Sequence, residues 1–375
     1  VPSPSTPVSA PIHPYHRRQE DNRVIVYVGT YTGPGKAEGI GVFRMDQATG
    51  ALTHLQTLSG VDNPSFLALH PNGRSLYAAN ESGDADGGPG ISAFAVDQET
   101  HTLMPLNRQP AHGTSPCYVS LDSAGRSVLL ANYGNGTVSV YPVQEDGSLD
   151  EASHVVQHVG GGSTRRQAGP HAHSIVMDPA GKYVLSADLG CDRIFVYLLQ
   201  DGRLSPNDVP YAQISSGAGP RHIAFHPNGR FVFVNGEIDS TVSAFAYDAE
   251  RGALQVVDTR STLPAGFSGN NSTAQVAVHP NGRFVYVSNR GHHSIAIFAI
   301  DPDQGTLRPL GHESTQGKTP RNFNLDPSGT FLLAANQDSG TIVSFRIDGQ
   351  TGQLAATGQV TEIPAPVCVL FSPTS

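Results

Sequence analysis

The sequence predicts an all-β fold, a seven-bladed β-propeller, on three observations. One phrase recurs six times, no segment shows helical periodicity, and the two chain ends supply the halves of a seventh copy. The phrase is an apolar strand, a His or Asp opening a tight Gly-containing turn, and a second apolar strand. It reads LALHPNGRSLYAAN from Leu67, VSLDSAGRSVLLAN from Val119 and IVMDPAGKYVLSAD from Ile175. It returns as IAFHPNGRFVFVNG from Ile223, VAVHPNGRFVYVSN from Val276 and FNLDPSGTFLLAAN from Phe323. The anchors His70, Asp122, Asp178, His226, His279 and Asp326 are spaced 47 to 56 residues apart. That is the length of a four-stranded propeller blade.

Each element of the unit follows from its local pattern. Apolar residues alternate along the first strand, and the turn residues after the anchor reverse the chain into the second. A third strand follows, as in GISAFAV (Gly90–Val96), TVSVYPV (Thr137–Val143) and TVSAFAY (Thr241–Tyr247), and a Gly-containing turn leads to a more variable fourth. PVCVLFSP (Pro366–Pro373) aligns with a first strand and VIVYVGTYT (Val24–Thr32) with a second. One shared blade built from both ends closes the ring and removes its open edges. The expected organisation is a disordered Pro/Ser-rich tail over residues 1–22 and a single propeller domain over 23–375.

Composition agrees and narrows the function. With 15% charged residues, 41 Gly and 28 Pro, the chain suits short strands and tight turns. It holds no apolar run of about 18 residues, so no membrane partner is expected. A net charge of −9 argues against a nucleic-acid partner. Cys117, Cys191 and Cys368 match no zinc spacing and read as buried free thiols. The start at Val1 rather than Met leans only slightly towards an exported or periplasmic protein over a cytoplasmic one.

Two columns of the repeat are expected to ring one mouth of the central channel. The first precedes each anchor: Ser65-Phe66, Cys117-Tyr118, His173-Ser174, Arg221-His222, Ala274-Gln275, Arg321-Asn322 and Val367-Cys368. The second follows the second strand: Asn80-Glu81, Asn132-Tyr133, Asp188-Leu189, Gly236-Glu237, Asn289-Arg290, Asn336-Gln337 and Thr30-Tyr31. Most second-column Asn residues read as turn caps. The exceptions cluster in blades three to six. His171, His173, Arg221, Glu237 and Arg321 are the expected catalytic group. His222, Arg290, Asn322, Gln337, Tyr133 and Gln275 are the expected substrate-binding group. Arginine recognises carboxylate or phosphate oxygens, and His and Glu move protons near neutral pH. His226 falls in the anchor column and reads as structural, and His292 and His293 as an exposed turn. His171 and His173 could face the same way as metal ligands do, but no third ligand stands beside them, so no metal is expected.

RRQAGPHAHSI (Arg165–Ile175), GAGPRHIAFHPNGR (Gly217–Arg230), GKTPRNFNLDPSG (Gly317–Gly329) and NPSFLALHPNGR (Asn63–Arg74) resemble the seven-bladed lactonase family. That family includes 6-phosphogluconolactonases and carboxy-cis,cis-muconate cyclases. The resemblance runs from about Val24 to Phe371. It implies an active-site His at His171 or His173, arginines at Arg221 and Arg321, and a Glu at Glu237. The chain departs from the family at Gly236, where Asn is usual, and near Gln275 and Ala277, where an acidic residue and a His are common.

The expected activity is hydrolysis of a sugar-acid lactone of the 6-phosphogluconolactonase type, without cofactor. Glu237 or a histidine of PHAH would act as general base on water, and Arg221 and Arg321 would stabilise the oxyanion. The expected partner is thus a small sugar lactone or anionic sugar acid, and the expected state a monomer or weak homodimer. Two alternatives are a muconate-type lactonising cycloisomerase and a non-catalytic propeller binding a ligand or protein at the same face.

Overall fold

Seven four-stranded antiparallel sheets make up the structure, a computed structural model that describes residues 24–82 and 88–373. Six blades are sequential: blade one runs Pro64–Leu69, Ser75–Asn80, Gly90–Val96 and Leu103–Pro110, and blades two to six repeat that order. The seventh takes its inner strand from the C-terminus, Pro366–Phe371, and its second strand from the N-terminus, Val24–Thr30, with Val28 opposite Val369. The expected seven-bladed ring with a split blade is therefore the observed fold. The expected N-terminal tail lies outside the described residues.

The strand pleat explains why the middle strands are apolar on both faces. Along Val24–Thr30, Val24, Val26 and Val28 pack towards blade six, while Ile25 and Tyr27 pack towards blade one. In blade four, Phe231 and Phe233 face blade five, and Val232 and Val234 face blade three. Successive side chains point to opposite faces, so one strand feeds two cores. Among the described residues, seven such clusters fill the seven gaps between neighbouring blades. No helix among them is long and apolar enough to cross a membrane.

The anchors tie blades together. His70, His226 and His279 accept a backbone N–H at Nδ1, from Asn72, Asn228 and Asn281. Their Nε2 must then carry the proton, and it donates to Gly125, Gly282 and Gly329 of the next blade's turn. Those glycines, with their equivalents in the other blades, hold φ between 69° and 72°, which explains their recurrence. Asp122, Asp178 and Asp326 instead accept N–H groups of their own turn. The second-column Asn residues bond chiefly beyond their own turns, though Asn132 also reaches Thr137 Oγ1 across its turn at 3.0 Å. Asn80, Asn132, Asn289 and Asn336 donate to carbonyls of the preceding crossover, at Asp62, Ala111, Thr262 and Thr315. In blade four Asp239 occupies that space: a Cβ on Gly236 would lie 2.3 Å from its Oδ1.

Candidate active site at the channel mouth

The ladder between inner and second strands breaks register once in every blade. The breaks fall on Ser65, Cys117, His173, Arg221-His222, Ala274-Gln275, Arg321 and Val367. A β-bulge bends the strand and re-aims a side chain. Here it splits the first column into two layers. The leading residues His173, Arg221 and Arg321 belong to a charged mouth. Phe66, Tyr118, His222, Gln275, Asn322 and Cys368 form the layer beneath.

That lower layer is a plug. Phe66 stacks on Tyr118 at 4.1 Å between ring centroids, and both meet His222 edge-on. His222 Nδ1 bonds Gln275 Oε1. Asn322 Oδ1 accepts the Val369 N–H at 2.9 Å, which ties blade six to the split blade. Gln275 and Asn322 line a cavity of about 460 Å3 that reaches the anchor turn at Asp122 and Ser123. Neither therefore stands at the mouth, where their column position had placed them.

Glu237 is the centre of the mouth. It leaves the end of the second strand of blade four, and its N–H bonds Gly219 O. Its Oε2 accepts Arg221 Nε at 2.8 Å and Arg290 Nη2 at 2.9 Å, and Arg166 Nη2 reaches Oε1 at 2.5 Å. Burial works to raise its pKa, but Arg290, Arg221 and Arg166 outweigh it and hold the carboxyl down at about 2. Arg221, also buried, falls to about 10 for want of water and because Arg290 is close, which leaves it a cation at neutral pH.

His173 Nε2 lies 3.8 Å from Glu237 Oε2, and its Nδ1 lies 3.6 Å from the Cys117 thiol. Burial, with Arg221 next, drives His173 and His222 well below the usual histidine range, so both are neutral. His171 stacks on Tyr133 at 4.6 Å and donates from Nδ1 to the Tyr133 carbonyl at 2.7 Å. Its Nε2 then keeps its lone pair and has no hydrogen-bond partner among the described residues. Arg321 forms a second pole: its Nη2 is 3.7 Å from Glu81 Oε1, and its guanidinium lies over the Tyr31 ring. Tyr31 OH donates to Glu81 Oε2 at 2.9 Å. Gln337 bonds its neighbour Asp338 and lines an adjoining groove that Tyr31 of the second pole also lines.

A family model described as lactonase, seven-bladed β-propeller, matches residues 25–371. The chain belongs to that lactonase family. It is 39% identical over 349 residues to a 6-phosphogluconolactonase of Bacillus subtilis, covering 93% of this chain and 98% of the relative. A 6-phosphogluconolactonase of Formosa agariphila is 34% identical over 308 residues, covering 80% of this chain and 86% of that one. The structure of a periplasmic gluconolactonase from Pseudomonas aeruginosa superposes with a TM-score of 0.89 at 34% identity, covering 94% of this chain and all of the other.

Within this lactonase the mouth brings together six of the expected residues: His171, His173, Arg221, Glu237, Arg290 and Tyr133. Arg321 stands at the second pole. Three participants escaped the sequence reading. Glu81 and Tyr31 occupy the second column, and Glu81 holds the same position as Glu237, a signal that was available. Arg166 lies on a crossover outside the repeat, and only the long spacing from Asp122 to Asp178 hints at it. Among the described residues no group of His, Cys, Asp or Glu is arranged to hold a metal ion. Burial pushes the thiols of Cys117, Cys191 and Cys368 up, which keeps them protonated.

Proposed function

We propose that the charged mouth hydrolyses sugar-acid lactones. The observation that carries the reading is the surplus of positive charge: Arg166, Arg221, Arg290 and Arg321 against Glu81 and Glu237. Such a field favours an oxyanion and a carboxylate product over a neutral ground state. The relatives named as lactonases share this ring over nearly its full length.

Water would attack the lactone carbonyl with His171 Nε2 as general base. That nitrogen is free of hydrogen-bond partners among the described residues, while Glu237, held ionised by three cations, is too weak a base for the task. Arg321, loosely held by Glu81, would stabilise the oxyanion. Arg221 and Arg290 act through Glu237, which they fix in place. The His171 imidazolium would then return its proton to the ring oxygen as the acyl C–O bond breaks. A groove of about 650 Å3 beside Tyr31, lined also by Lys36, Gln337 and Asp338, has the polar walls a polyhydroxyl chain requires. The periplasmic neighbour supports an exported location as part of the same reading.

The test is a pH-stat screen of aldonolactones and phosphoaldonolactones. At least one should be opened at a rate well above spontaneous hydrolysis, and His171→Asn should lower kcat at least tenfold with little change in KM. A panel with no accelerated member would refute the assignment.

A further inference from the structure

Three arginines grip Glu237, but they are not equivalent. The Arg221 side chain is 3% exposed and also donates to Ala274 O and to His222 Nε2. That of Arg290 is 15% exposed and also donates to Thr273 O at 3.0 Å. Both bind Oε2 and come from the blades themselves. Arg166 is 47% exposed, and its other bond is a 3.3 Å contact to Tyr133 OH. Alone of the three, it covers Oε1.

The Arg166 arm stands on a fixed base. It belongs to a short 3-10 turn, Arg165–Gln167, on residues 158–171, the longest crossover between blades. Gln167, buried beneath it, donates to Leu189 O at 2.9 Å and to Asp192 Oδ1 at 2.6 Å. Asp192 in turn accepts the N–H groups of Gly217 and Gly219, on the approach to blade four. The stem is thus locked to blades three and four, while the guanidinium at its tip reaches over the mouth with one face in water.

We propose that Arg166 is a displaceable cap, docked on Glu237 Oε1 in the free protein and turning to the carboxylate that lactone opening releases. The inference rests on the lactonase reading. Hydrolysis breaks the acyl C–O bond, adds water oxygen to the carbonyl carbon, protonates the ring oxygen and releases one proton. The product carries a carboxylate that a neutral lactone lacks. A guanidinium that holds its carboxylate by Nη2 alone can exchange that single bond for the two-point fork a free carboxylate offers, at little cost. Arg166 therefore separates product binding from substrate binding. Its departure also opens Oε1 to the substrate's hydroxyls.

The experiment compares wild type, Arg166→Lys and Arg166→Ala, with glucono-δ-lactone as substrate and gluconate as product inhibitor. Gluconate binding is measured independently by calorimetry. Arg166→Ala should weaken gluconate at least tenfold while the lactone KM stays within about threefold, a split that loss of packing alone would not produce. Arg166→Lys, which keeps the charge without the fork, should fall between them. Unchanged gluconate affinity in Arg166→Ala, equal factors on gluconate and lactone, or no gluconate binding to wild type would overturn the cap. Absence of lactone turnover by wild type would fail the lactonase reading separately, and the calorimetric comparison would still decide the role of Arg166.

Discussion

Glu237 and His173 lie at the mouth and His222 just beneath it, and burial together with neighbouring charges holds each in one protonation state. The two imidazoles are neutral when folded, whereas in the unfolded chain they protonate near 6.5. The unfolded state then binds more protons below that value, so stability falls as pH drops through it. Each such histidine contributes up to about 1.4 kcal/mol per pH unit. Glu237 acts in the same direction over a lower window: its contribution is present above 4.5 and lost as pH falls towards about 2. Urea unfolding should show declining stability from pH 7 to 5, and His222→Gln should flatten that slope. A slope unchanged in the variant would mean that His222 is not the group responsible. Arg221, Glu237, Arg290 and Arg321 are legible in the sequence because the repeat marks what each position needs, and a charge in its place stands out. Arg166 is not legible, since no template exists for a crossover loop. The threefold grip on one carboxylate depends on side-chain reach that spacing does not display.

Two devices in the blades position the site: the bulge on each inner strand and the anchor at its far end. The bulge explains the difference between expected and observed placement. Counting alone puts Arg321 and Asn322 at the same rim, but the extra residue turns one to the mouth and the other down to the plug. A bulge is a backbone irregularity with no signature in an alternating apolar pattern, so Gln275 and Asn322 could not be sorted in advance. The anchor was legible, because His-Pro-Asn-Gly recurs three times between two apolar strands and His226 shares its column with His70 and His279. His226→Ala removes the bond to Gly282 O and the acceptor for Asn228 N–H. It should cost about 1–3 kcal/mol in urea unfolding, from buried groups left unpaired. Lactone turnover should stay at the wild-type level, because the anchor lies at the opposite end of the strand from the mouth.

Ring closure is carried by one strand pairing and two cores. Val369 and Phe371 pack into the cluster towards blade six, and Cys368 into the cluster towards blade one. Deleting residues 366–375 would bare the edge of Val24–Thr30 and unmake both clusters. The shortened chain should lose cooperative unfolding and self-associate on size-exclusion chromatography. A monomer that melts at the wild-type temperature would contradict closure by the C-terminal strand. The closed ring matters for function because the mouth is shared around it: His171, Glu237, Arg290, Arg321 and Tyr31 come from five different blades. The most direct test of the account is the rate of lactone hydrolysis by Arg321→Ala against wild type, with melting temperature as control. Arg321 touches Tyr31 and Glu81 at the rim and belongs to none of the seven core clusters, so the ring should melt near the wild-type temperature while kcat/KM falls at least tenfold. Equal rates in the two proteins would contradict a catalytic centre at this mouth.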